Sequence, residues 1–202
     1  MQSFLRSMLG ILYFWCSISA SAQVPENAEE ICPMLIGETI PKATLQDSDG
    51  KQVELGKLLS SKPSVVVFYR GGWCPYCNVQ LSDLVKIEKD ILDLGYQIFA
   101  ISPDDYRNLQ ITESKGSINY ILLSDPGAKF IQQVGIGFKA SLMLKGYIAT
   151  KGQKGEPTDV IPVPTVMVLD KKGKILFEYI NTDYKVRISS KMLLEVLKTI
   201  KS

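Results

Sequence analysis

The sequence predicts an α/β domain: a central mixed β-sheet with helices on both faces, preceded by an N-terminal β-hairpin. Three features carry that prediction. Two largely apolar runs of strand length, Val65-Val66-Val67-Phe68-Tyr69 and Tyr96 through Ser102, bracket a long segment whose apolar residues recur every three or four positions. Strand, helix, strand in that order implies a parallel pair joined by a crossover helix. The runs from Thr165 to Leu169 and from Ile175 to Tyr179 are joined by Asp170-Lys171-Lys172-Gly173, a hairpin pattern that adds antiparallel strands. Ala43-Thr44-Leu45 and the run from Gln52 to Leu55 flank the turn Asp47-Ser48-Asp49-Gly50 and read as the hairpin ahead of the main fold.

The remaining elements follow from local signals. A short helical turn is expected near residues 57–60. Cys77, Leu81, Leu84, Ile87, Ile91 and Leu94 form one continuous stripe on the long helix, with Pro75 at its first position and Gly95 ending it. Residues 104–115 read as helix, 120–123 as a short strand, and 127–134 as a helix introduced by Asp125-Pro126. Residues 138–161 carry Gly146, Gly152, Gly155 and Pro157 among lysines and read as a partly ordered excursion over the surface. A final amphipathic helix starts at Ser189 or Ser190, with Met192, Leu193, Val196, Leu197 and Ile200 between its lysines.

The chain has 202 residues, a formal net charge of +2, four cysteines and no histidine. Its lysines are scattered, with no basic stripe of the kind that binds nucleic acid. Residues 1–22 hold Arg6 as their one charge, an apolar stretch from Met8 through Trp15, and Ala20-Ser21-Ala22. These are the three parts of a secretory signal, so the expected mature chain begins near Gln23, is exported to the periplasm or beyond, and has no stable membrane span, with an uncleaved anchor as the alternative. What remains, residues 23–202, has the size of one domain. Cleavage removes Cys16 and leaves Cys32, Cys74 and Cys77. Cys32 reads as a small buried packing residue, with a third redox thiol as the sharper alternative.

Trp73-Cys74-Pro75-Tyr76-Cys77 places two thiols three positions apart at the junction of a buried strand and a long helix. The free amides of a helix's first turn stabilise negative charge, so Cys74 should ionise readily. Cys77 lies on the apolar stripe and is therefore buried, whereas Cys74 is expected at an exposed tip. Cys74 is then the attacking nucleophile and Cys77 the resolving thiol. No metal is expected, because the chain offers neither histidine nor a second such pair. A structural staple is the plain alternative.

These residues resemble a known family. The order of elements and Pro164-Thr165 leading a strand look like the thioredoxin fold. The run Phe68-Tyr69-Arg70-Gly71-Gly72-Trp73-Cys74-Pro75-Tyr76-Cys77-Asn78, with Leu123-Ser124-Asp125-Pro126 and Asp183-Tyr184-Lys185-Val186-Arg187, resembles the peroxiredoxin-like branch of the alkyl hydroperoxide reductase and thiol-specific antioxidant family. The resemblance implies that Cys74 takes the attacking or peroxidatic position, Cys77 the resolving one, and Pro164 that of a cis-proline facing an incoming extended peptide, with an ordinary trans proline at a strand start as the plain alternative. It brings Trp73, Tyr76, Arg70 and Thr165 to the site as binding or activating residues, and it implies no cofactor.

The chain departs from the family where a threonine and a proline are usual, at Gly71 and Val67, and Val67 also replaces thioredoxin's buried acid. Activation is then expected from the helix terminus alone, with Arg70 or Arg187 as candidate sources of positive charge. Three functions follow: thiol-disulfide exchange with protein or small-molecule partners, reduction of hydroperoxides with an external thiol reductant, or a non-catalytic binding module that keeps the disulfide as a staple. The local residues favour the first.

Overall fold

The computed structural model describes residues 23–151, 153–155 and 158–201; the expected leader, residues 1–22, lies outside the described residues. In chain order the elements are β1 (Thr44–Gln46), β2 (Gln52–Glu54), α1 (Leu55–Leu59), β3 (Ser64–Phe68), α2 (Pro75–Asp93), β4 (Gln97–Ser102), α3 (Tyr106–Gly116), β5 (Ile121–Ser124) and α4 (Lys129–Gln133). There follow β6 (Gly137–Lys139), α5 (Leu142–Ala149), β7 (Val160–Pro162), β8 (Thr165–Leu169), β9 (Ile175–Ile180) and α6 (Ser190–Lys201).

Seven strands form one mixed sheet in the order β2-β1-β5-β4-β3-β8-β9. Strands β3, β4 and β5 are parallel, and β8 and β1 attach antiparallel at either side. Every residue of β3 is buried because both faces of the sheet are covered. Alternation then assigns the side chains. Val65 and Val67 pack with Leu81 and Leu84 of α2, Leu109 of α3, and Leu193 and Leu197 of α6. Val66 and Phe68 face the other way, onto Leu55 and Leu59 of α1 and Phe130 and Ile131 of α4.

The thioredoxin-like architecture with its leading hairpin is therefore present, and the hairpin is joined to the main sheet through Gln46 opposite Ser124. Three expectations change. Residues 138–161 hold two paired strands, β6 and β7, and helix α5, whose start is capped by Ser141 accepting from the Leu144 N–H. Gly146 sits inside that helix among good helix formers, a cost the tertiary setting absorbs. The expected helix over 127–134 is broken near its start by positive φ at Gly127 and Ala128, leaving a 3₁₀ turn, Pro126–Ala128, before α4. Cys32 is exposed rather than buried. Its backbone, not its side chain, is pressed into the fold, with a Cβ at Gly135 falling 1.9 Å from the Cys32 carbonyl oxygen.

Among the described residues no helix is long and apolar enough to cross a membrane. The core assignment is checked by unfolding in urea. Leu197→Ala, at a position with 0% exposure, should lose about 2–5 kcal/mol of stability, while Met192→Ala on the open side of α6 should stay within about 0.5 kcal/mol.

Candidate active site

Strand β3 delivers the site by ending at a defined point. Phe68 is held opposite Ile101 on one side and Thr165 on the other, and the Tyr69 N–H still donates to the Ile101 carbonyl at 3.0 Å. The chain then turns through Arg70-Gly71-Gly72-Trp73 into Cys74, which caps α2 with an extended backbone (φ −89°, ψ 114°) ahead of Pro75. Gly71 adopts φ +141°, and a Cβ there would lie 2.4 Å from Trp73 Nε1 and 2.5 Å from Asp104 Oδ1. The position where the resemblance expects threonine is thus given over to an indole and a carboxylate. Val67 belongs to the core, between Ala100 and Val166.

Cys74 is not at an exposed tip. The residue is 1% exposed, although it lines a cleft of about 750 Å³. Aromatic side chains build the cleft walls: Trp73 meets Tyr147 edge to face at 6.2 Å and Tyr76 meets Tyr184 at 5.6 Å. These walls rise around the start of α2 and cover the cysteine that spacing alone would leave outside. The lead-in segment around Glu26 and Glu29 lines the same cleft.

Both thiols are free, and they are electrostatically unequal. Cys74 is lowered to about 6, chiefly by the hydrogen bond from the Cys77 thiol and further by the Cys77 backbone N–H and the charges of Arg70 and Arg187, against the opposing effect of burial. Burial holds Cys77 well above the usual thiol range, and its hydrogen bond and proximity to Cys74 act in the same direction. One sulfur is therefore ionised near neutrality while the other keeps its proton.

Positive charge reaches the pair from two elements. Arg70 is buried with its guanidinium over Trp73 at 5.1 Å and over Tyr184 at 4.9 Å, and its Nε has no hydrogen-bond partner. Arg187, from the segment between β9 and α6, places Nη2 3.6 Å from Cys77 Sγ while Nη1 donates to the carbonyls of Tyr184 and Val186. Activation thus draws on more than the helix terminus.

A buried acid is present after all, from a different element. Asp105 caps α3 by accepting from the Arg107 N–H, which frees Asp104 to turn inward, where it accepts from the Gly72 N–H at 2.7 Å. Burial raises the Asp104 carboxyl to about 7, with Cys74 and Asp105 pushing the same way. Adjacent aspartates before a helix show only that one of them will cap it, so sequence offers no sign of which is buried.

Pro164 and Thr165 stand apart from this group. All described peptide bonds are trans, that of Pro164 included, as is usual even before proline. The Pro164 carbonyl accepts from the Asn181 N–H and the Thr165 hydroxyl donates to the Val163 carbonyl, so the expected opening for an incoming peptide is taken up by the fold itself. Neither residue lines the cleft. Among the described residues no group of three or more histidine, cysteine, aspartate or glutamate side chains could hold a metal ion.

Residues 36–177 match the AhpC/TSA family. The Peroxiredoxin Bcp of Escherichia coli K12 is 31% identical over 115 residues, spanning 57% of this chain and 73% of that protein. The chloroplastic Peroxiredoxin Q of Triticum aestivum is 29% identical over 148 residues, 72% of this chain and 58% of that one. The crystal structure of Peroxidoxin BcpB from Mycobacterium tuberculosis superposes with a TM-score of 0.65 at 23% identity, covering 84% of this chain and 99% of that chain, which is a likeness of fold.

The electrostatics are open to titration. Alkylation of Cys74 by iodoacetamide should be half-maximal near pH 6, the value to which its surroundings lower it. Arg70→Met should move that midpoint upward by up to about one pH unit, whereas Asp104→Asn should move it downward only slightly, because a carboxyl raised to about 7 is mostly neutral at that pH.

Proposed function

The chain belongs to the AhpC/TSA family, and from that membership we propose that this oxidoreductase is a thiol-dependent peroxidase in which Cys74 reduces hydroperoxides and Cys77 resolves the product. The observation that carries the reading is the burial of Cys74, 1% exposed beside an open cleft. A hydroperoxide group is two oxygens across and enters where a folded protein's disulfide does not. Thiol-disulfide exchange, the function that the Cys-x-x-Cys run alone favoured, then keeps one place in the cycle, as the step that returns the enzyme to its dithiol form.

The chemistry runs in three steps. The Cys74 thiolate attacks the outer oxygen of the hydroperoxide, forming an S–O bond as the O–O bond breaks, and the alkoxide takes a proton from solvent water and leaves as the alcohol. Cys77 then attacks the Cys74 sulfenic acid; the S–S bond forms, the S–O bond breaks, and water carries away the Cys77 proton. An external dithiol reduces the disulfide by exchange. Arg70 and Arg187 hold the negative charge of thiolate and developing alkoxide, while Trp73 and Tyr76 shape the walls that receive the substrate. Pro164 and Thr165 act at a distance, by fixing the end of β3.

Stopped-flow oxidation tests the reading. Cys74→Ser should abolish hydroperoxide reduction. Cys77→Ser should keep the first oxidation, accumulate a sulfenic acid that dimedone traps, and lose at least about tenfold in steady-state turnover with a dithiol reductant. A Cys74 that reacts with hydrogen peroxide no faster than a free thiol ends the proposal.

We also propose that the chain is exported, on the charge, apolar stretch and small-residue site of residues 1–22. Protein recovered from the periplasmic or medium fraction should then begin at Gln23 by N-terminal sequencing; a chain retained in the cytosol with Met1 in place would refute it.

A further inference from the structure

Helix α5 is apolar on nearly every side, yet of its eight residues only Ile148 is buried. Leu142 and Met143, at its start, are each 86% exposed, more than any other large hydrophobic residue described. A helix that is hydrophobic all round is normally covered. The segment around it has a second peculiarity: residues 138–161 carry Lys139, Lys145, Lys151 and Lys154 against two acidic residues, Glu156 and Asp159, both beyond the helix. Lys139 and Lys145 reach outward to exposed Glu26 and Asp159, contacts of a kind that contribute little and exchange readily. Lys151 rests on the Tyr147 ring at 4.6 Å, and among the described residues it makes no ion pair.

We propose that α5 and its lysines seat this protein on an anionic phospholipid surface, with Leu142 and Met143 entering the headgroup layer and Lys145, Lys151 and Lys154 meeting the phosphates. Exposed leucine and methionine flanked by cations is the composition that binds a layer with negative charge above hydrocarbon. A second copy of the chain suits the surface less well, because pairing about α5 would set one group of lysines against the other. Met143 and Tyr147 also line the Cys74 cleft, so the membrane-facing helix borders the site, yet the binding is measured without any turnover.

Co-sedimentation of the full chain with vesicles is the test, with parent and variants compared so that residues 1–22 contribute equally to both. The parent should bind vesicles of phosphatidylcholine with phosphatidylglycerol more tightly than phosphatidylcholine alone, and high salt should weaken it. Leu142→Asp, and separately Lys151→Glu with Lys154→Glu, should each reduce that binding by at least about tenfold, with unchanged thermal unfolding showing that the fold is intact. Equal sedimentation of parent and variants would overturn the proposal, as would no binding at low ionic strength. It would equally fall if the parent were a dimer in solution that Leu142→Asp turns into monomer, since a second copy would then cover the helix.

Discussion

The electrostatic coupling between the Cys74 and Cys77 sulfurs sets the chemistry of the site, and most of the surrounding architecture serves to keep it. It requires the two sulfurs to lie one helical turn apart, which the start of α2 supplies, and it requires one to be charged while the other is not. The helix terminus and two guanidinium groups favour charge on Cys74. Burial forbids it on Cys77. The same coupling lowers one thiol and raises the other, and it adds to a difference in surroundings: burial is the larger cause at Cys77, and nearby positive charge reinforces the effect at Cys74.

Holding that contact in place depends on how β3 ends. The strand is bonded on both edges, so Phe68 cannot shift without breaking pairs to β4 and β8. The turn that follows is anchored again at the Gly72 N–H by Asp104. Gly71 matters here for a steric reason: a side chain would collide with the indole and the carboxylate that pack against the turn. The anchor carries an electrostatic penalty, because a charged Asp104 opposes the thiolate it helps to position. Burial moderates the conflict by raising the Asp104 carboxyl to about 7, so that below that value the anchor is mostly neutral and still accepts its hydrogen bond.

What could be read from the sequence was whatever repeats along the chain. The apolar run of β3, the stripe beginning at Cys77 and the turn at Asp170-Lys171-Lys172-Gly173 are periodic or local, and they foretold the sheet, the long helix and the β8–β9 hairpin. The inequality of the two thiols followed from the same stripe. Apart from the local breaks at Gly127 and Ala128 and the trans bond at Pro164, the errors concern what lies across from a residue rather than beside it. Cys74 looked exposed because Trp73, Tyr147 and Tyr184 come from three separate stretches and meet only in the fold. Cys32 looked buried because its neighbours are apolar, whereas the contact is made by its backbone. Residues 138–161 looked irregular because glycine was counted and the pairing of β6 with β7 could not be.

In the cycle proposed for Cys74 and Cys77, burial of Cys74 imposes an asymmetry. Oxidation needs only a small electrophile to reach the thiolate through the cleft, so the closed arrangement of Trp73, Tyr76 and Tyr184 suits that half. Reduction of a Cys74–Cys77 disulfide needs the sulfur of another dithiol in line with the S–S bond, and a sulfur carried on a folded partner is too bulky for the same path. The walls around Cys74 therefore have to move in one half of the cycle and not in the other. Disulfide formation itself supplies a cause. It removes the thiolate, and with it a charge that Arg70 and Arg187 favour; the buried Arg70 guanidinium, held between two rings and with its Nε unpaired, then loses that attraction. A buried cation without a counter-charge is costly, so oxidation weakens the packing that hides Cys74, and the reduced thiolate restores it.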